Sequence, residues 1–124
     1  MAPSAEPWNH GRLGAPQPPA GWCHGSAGDV AGGCRIDCWL LAAGDELREV
    51  RFEVFASGEA MRAAAWLADW LSGRSLAVAD GVTGAWLADA AGLPDQARGD
   101  GLLVEDALRA ALTAMPVDGD GKAL

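Results

Sequence analysis

Cys34 and Cys38, in the run CRIDCWLL, are the first residues of this chain whose types and spacing could do chemistry. Two thiols brought together could share a soft metal ion or close a disulfide. The run alternates like a β-strand, however, with Cys34, Ile36, Cys38 and Leu40 on one face. Four residues along a strand span about 13 Å at roughly 3.3 Å per residue, too far for either chemistry. Both cysteines therefore read as small buried hydrophobes. With Cys23 the count is three, an odd number that describes no disulfide framework. The second candidate is Ser57-Gly58, where a β-type run ends and an Ala-rich helix begins. Such a corner presents free backbone N–H groups, which suit either a simple cap or an anion-handling site. Ser is among the best N-cap residues, and Glu59 suits the positive helix end, so the cap is expected. No nucleophile–His–acid set is readable, and no phosphate-binding glycine pattern precedes a helix. The two histidines, His10 and His24, fall in a leader and a loop. No enzyme is expected.

The elements that must position these residues form an α+β pattern, strands first and helices after. A hairpin is predicted from Cys34 to Leu41 and Leu47 to Phe55, with Gly44 free to take positive φ in the turn. The stretch GWCHGSAGDVAGG, 21–33, reads as a Gly-rich loop, with a third strand allowed beside the hairpin. A helix is predicted from Gly58 to Ser72, its apolar face formed by Ala64, Leu67, Ala68 and Leu71. A short helix is expected from Thr83 to Ala91, stopped by Gly92 and Pro94. A last helix should run from Leu102 to Met115, with Leu103, Ala107, Ala110 and Ala111 inward. Residues 1–21, holding Pro3, Pro7, Pro16, Pro18 and Pro19, read as a flexible leader; 22–118 form one domain and 119–124 a flexible tail.

Composition limits the partners. The chain has 124 residues and a net charge of −8, with a pI near 4.5. Binding to phosphate backbones needs clustered Lys and Arg, and nine are scattered here. Nucleic acid is excluded on that ground, whereas basic protein partners suit an acidic surface. No run approaches the roughly 18 apolar residues of a membrane span, and the N-terminus lacks the pattern of a signal peptide. A cytoplasmic protein is expected. Six tryptophans accompany no tyrosine. Trp66, Trp70 and Trp86 fall on helices, where packing over the core is expected; Trp8, Trp22 and Trp39 would mark a protein-contact patch if clustered and exposed.

The order of several short runs resembles the U-type iron–sulfur cluster scaffold family, the IscU/NifU N-terminal fold. The runs are Gly28-Asp29, EVRFEVFASGEAM, WLADWLSGRSL, GLPD and LLVEDALRAAL, and the resemblance spans about residues 26–115. It implies a small antiparallel sheet packed against C-terminal helices and a role in iron–sulfur cluster assembly. It also implies a nascent cluster, iron or zinc held by three thiolates and an aspartate, with a cysteine desulfurase among the partners. The implied ligand positions fall on Ala27, Ser57 and Asp100 in place of cysteines, on Gly99 in place of a histidine, and on Asp29, which keeps its type. An Asp29/Ser57/Asp100 set is hard and oxygen-rich, suited to Mg, Ca or loosely held iron rather than to a sulfide cluster. Cys23 and His24, on a mobile loop, could join Asp29 and Asp100 in a substitute zinc or iron site; a free loop thiol is the plainer reading. The run that docks a specialised chaperone in the family corresponds to Leu93-Pro94-Asp95-Gln96-Ala97, without its second proline, valine and lysine. The expectation is a diverged cluster-assembly scaffold; the alternative is a module that docks assembly partners without carrying a cluster.

Overall fold

A computed structural model describes residues 13–16 and 21–115. Three strands, β1 (Cys23–Asp29), β2 (Cys34–Ala43) and β3 (Glu46–Phe55), form an antiparallel meander in the order β1-β2-β3. The hairpin expected from sequence is β2–β3, and Gly44 turns it at φ 61°. Inward alternation buries Ile36, Cys38 and Leu40 on β2 and Val50 and Phe52 on β3. Leu47 is buried too, although it lies three residues before Val50. The pairing jumps from Leu41–Glu49 to Ala42–Leu47, so Arg48 is an extra, bulged residue that returns Leu47 to the core face.

The Gly-rich segment at 21–33 was expected as a loop, and here the structure corrects the reading: Cys23–Asp29 is a strand paired along its length with β2. Its composition is poor in β-formers, so the pairing comes from its surroundings rather than from propensity. Gly25 shows how. A Cβ there would lie 2.1 Å from the backbone nitrogen of Ala111, so the missing side chain lets the last helix rest directly on the strand.

Four α-helices follow: α1 (Gly58–Leu71), α2 (Leu76–Asp80), α3 (Gly84–Ala90) and α4 (Arg98–Thr113), the last led in by a 3-10 turn at Asp95–Ala97. The expected α1 face, Ala64, Leu67, Ala68 and Leu71, is wholly buried. Helix α2 had no counterpart in the sequence reading; the Ser75 side chain caps it by accepting from the Val78 N–H at 3.2 Å. Helix α4 begins four residues before the expected Leu102, and its buried stripe is Gly101, Val104, Ala107, Leu108 and Ala111. Leu103 and Ala110 are half-buried at its margin. Of the two glycines in that early start, Gly101 lies where α4 crosses α3 closely: a Cβ there would lie 2.7 Å from the Gly84 oxygen, whereas one on Gly99 would meet nothing within 4 Å.

Helix α4 lies over β1 and β2, and α1 lies over β3, so one sheet face meets the helices around an apolar core. The Ser72 hydroxyl donates to the Ala68 carbonyl at 2.8 Å and accepts from the Val50 N–H at 3.1 Å, which ties the end of α1 to β3. Leu13 to Pro16, within the stretch expected to be a leader, lie against the free edge of β3. Leu13 pairs in parallel with Phe52, and Arg51 donates to the Leu13 and Gly14 carbonyls at 2.9 Å each. The rest of that leader, with His10 and Trp8, and the tail at 119–124 lie outside the described residues. Among the described residues no helix is long and apolar enough to cross a membrane.

Candidate functional site

The corner at Ser57 sits where three chain segments meet. Strand β1 ends at Asp29 opposite Cys34, the first residue of β2, and β3 ends at Phe55 opposite Arg35. Two residues later Ser57, in extended backbone at φ −68° and ψ 163°, caps α1 by accepting from the Ala60 N–H. That is the expected cap, with the oxygen and nitrogen 3.1 Å apart. The same hydroxyl donates to Asp100 Oδ2 at 2.8 Å. Asp100 lies in the first turn of α4, so the tertiary fold brings together two of the three positions where the family resemblance implies a cysteine. A carboxylate beside the positive end of α1 is favourable there. The one proton of Ser57 and an acceptor lone pair are thereby both engaged.

Asp29 ends β1 at the same end of the sheet, and its carboxylate accepts from the Gly32 N–H, closing the β1–β2 turn. Ala27, at the third implied cysteine position, is half-buried against the core. Cys34 is half-buried at this end.

Cys23 and His24 lie elsewhere. They open β1, opposite Leu40 and Trp39, and six residues of strand place Cys23 about 20 Å from Asp29 at roughly 3.3 Å per residue. Because β1 is a strand and not a mobile loop, Cys23, His24, Asp29 and Asp100 are not brought together. Among the described residues no three His, Cys, Asp or Glu side chains form a group that could hold a metal ion. His24 instead meets Asp37 Oδ1 at 2.7 Å and packs on the Trp39 ring at 4.9 Å. Burial pushes the Asp37 carboxyl up, but hydrogen bonds from Arg35 and His24 outweigh it and hold the group below its ordinary value. Burial raises the Cys23 thiol, and raises Cys38 well above the ordinary range, with the Asp37 charge adding to it. Cys38 is fully buried, as its strand parity predicts.

The family resemblance grouped Ser57 and Asp100, which are 43 residues apart, but not the hydrogen bond between them; periodicity carries no signal at that separation. Sequence reasoning also missed the apolar surface beside the corner. Val30 and Phe55 are 58% and 55% exposed, and with Arg35, Asp37, Glu53 and Val54 they line a depression of about 330 Å³. Trp22 and Trp39 are half-buried, and among the described residues the tryptophans that cluster are Trp66, Trp70 and Trp86.

A three-stranded antiparallel meander with helices over one face, and a strand-to-helix corner closed by the first turn of the last helix, defines a small α+β domain. The family model described as the NifU-like N terminal domain matches residues 3–118. The chain belongs to this family, a family of iron–sulfur cluster assembly scaffolds. No curated protein matches the chain.

Proposed function

We propose that this chain serves iron–sulfur cluster assembly by docking other assembly proteins, and that the position where its family holds the cluster has become a structural joint. The observation that carries this reading is the double engagement of Ser57, which caps α1 and donates to Asp100 at 2.8 Å. A cluster, as cargo, is held by soft thiolates. The corner offers a neutral hydroxyl already bonded on both sides and a hard carboxylate. Exposed Val30 and Phe55 beside it supply the apolar area that protein contacts use. A cysteine desulfurase or another cluster-assembly protein is the class of partner that the family membership suggests. The role is non-catalytic and cytoplasmic in this reading. The chaperone-type run, Leu93 to Ala97, lacks the second proline, the valine and the lysine, so the chaperone step is not part of the role in this reading.

The test is anaerobic reconstitution with iron and sulfide, and separately with zinc, read by absorbance and elemental analysis. The unmodified chain is compared with a Ala27→Cys, Ser57→Cys, Asp100→Cys variant. The expected result is no stoichiometric iron or sulfide on the unmodified chain and a cluster on the variant. Stoichiometric iron and sulfide, or zinc, on the unmodified chain would sink the reading.

A further inference from the structure

The two outer edges of the sheet are treated differently. At β3 the Val50 N–H donates to Ser72 Oγ at 3.1 Å and the Phe52 carbonyl accepts from the Gly14 N–H at 2.7 Å. Leu13 bridges to Phe52 and Ser75 to Glu46, so this edge is covered. At β1 no described residue pairs on the side away from β2. Register shows which groups are open there. Val50 and Phe52 turn their backbone groups away from β2, so Leu40 and Cys38 opposite them turn theirs toward β1. Those meet Cys23 and Gly25, which leaves the N–H and C=O of His24 and Ser26 pointing out of the open edge. Edge strands are usually blunted by Lys, Pro or a bulge. Strand β1, CHGSAGD, has none of these, and its pairing with β2 is unbroken.

An open edge selects an extended backbone. A second β1 is already extended and held by its own β2, so it joins without the ordering cost of a free peptide. A two-fold axis at Gly25 sets His24 of each copy opposite Ser26 of the other, and four backbone hydrogen bonds then satisfy the open N–H and C=O groups of both residues. Local charge allows the approach. Asp29 is held by the Gly32 N–H, His24 meets Asp37, and Asp37 is also bonded by Arg35. The net charge of −8 is screened beyond about 8 Å at physiological salt. In the helix layer Leu103 and Ala110 stand over β1: a Cβ on Gly28 would lie 3.4 Å from Leu103 Cδ1, and one on Gly25 2.7 Å from Ala110 Cβ. Ala110, a small residue, is thus the part of α4 nearest the axis. Asp106 of each copy falls four residues to opposite sides of it, about 12 Å apart along the helices at 1.5 Å per residue. We infer that two copies of this chain pair antiparallel along β1 about a two-fold axis at Gly25, joining two three-stranded sheets into one of six strands with both α4 helices on the same face. The closed pair leaves neither β1 edge open. Its centre lies about 13 Å from Asp29 at roughly 3.3 Å per residue, so it stands or falls independently of the Ser57 corner.

The experiment is sedimentation equilibrium of the full chain at physiological salt over a range of concentrations, beside amide hydrogen exchange at the same concentrations. The mass should rise toward twice the 12.7 kDa of one chain, and the His24 and Ser26 amides should exchange more slowly as it does. Ser26→Pro removes one outward donor per copy and leaves the β2 ladder intact, and should weaken association at least about tenfold. Circular dichroism checks its fold; should it fail to fold, exchange on the unmodified chain decides alone. A chain that stays monomeric at every concentration would overturn the inference. So would a dimer whose His24 and Ser26 amides stay fast or that a folded S26P does not weaken, because it would use another face.

Discussion

Ser57 shows how one hydroxyl decides what a corner can do. It accepts from the Ala60 N–H and donates to Asp100. Removing it leaves a helix N–H without its cap and a carboxylate without its donor. Ser57→Ala should therefore cost about 1–2 kcal/mol, the upper part of the range for lost N-caps. Asp100→Ala should cost about half as much, because the cap survives. Urea denaturation of both single variants and the double variant measures this. The double should lose less than the sum, as expected for groups in direct contact. A costless S57A would mean that the cap and the Asp100 bond add nothing to folding. The triple cysteine variant that restores thiols at the corner also gives up this cap, so its stability is to be measured beside its metal content.

At the scale of elements, glycine placement decides how closely layers approach. Gly25 on β1 faces the backbone of α4, where a Cβ would lie 2.1 Å from Ala111 N and 2.3 Å from Ala110 C. Gly25→Ala must push a helix off a strand and should cost about 3 kcal/mol, the upper part of the overpacking range. Gly58, at the first position of α1, is the control: an added Cβ meets nothing within 4 Å. Gly58→Ala should raise stability by about 0.5–1 kcal/mol by restricting the unfolded chain. Thermal unfolding of the two variants should shift in opposite directions. The contrast also explains an error of reading. Glycines in 21–33 read as loop because glycine usually marks one, whereas Gly25 marks a close approach between strand and helix.

At the scale of the whole molecule, acid acts on carboxylates at the margins of the fold, since no polar or charged side chain is buried among the described residues. Glu105 accepts from Arg109 Nε at 2.6 Å and from the Gly84 N–H at 2.6 Å. It thereby clamps α4 to the start of α3. Chiefly the Arg109 hydrogen bond, then the one from Gly84, lowers its pKa from the ordinary 4.5. Asp37 is likewise lowered from 3.8 on the outer sheet face. A lowered folded value means that the unfolded chain binds more protons in acid. The stabilisation is thus fully present above the ordinary carboxylate values and is lost as pH falls through the lower folded ones. Between neutrality and pH 4.5 the shrinking net charge relieves self-repulsion, so stability should hold there and decline below. Glu105→Gln should flatten that decline in a pH series of denaturation midpoints; an unchanged slope would remove Glu105 from the acid response.

Local pattern was enough for much of this protein. Alternation in CRIDCWLL fixed the inward face of β2 and the burial of Cys38, and the spacing of Ala64, Leu67, Ala68 and Leu71 fixed the core face of α1. The order of short runs was enough to place the chain in its family. Such features depend on neighbours within a turn or two, and side-chain periodicity records them directly. The α4 stripe was legible in part: Ala107 and Ala111 are buried as expected, while Val104 and Leu108 are buried and Leu103 and Ala110 lie at the margin. Strand β1, the bulge at Arg48, the Ser57–Asp100 bond and the tryptophan cluster had to wait for the packed chain. Each joins residues far apart in sequence whose meeting is set by how helices lie on the sheet, and no local pattern encodes that approach.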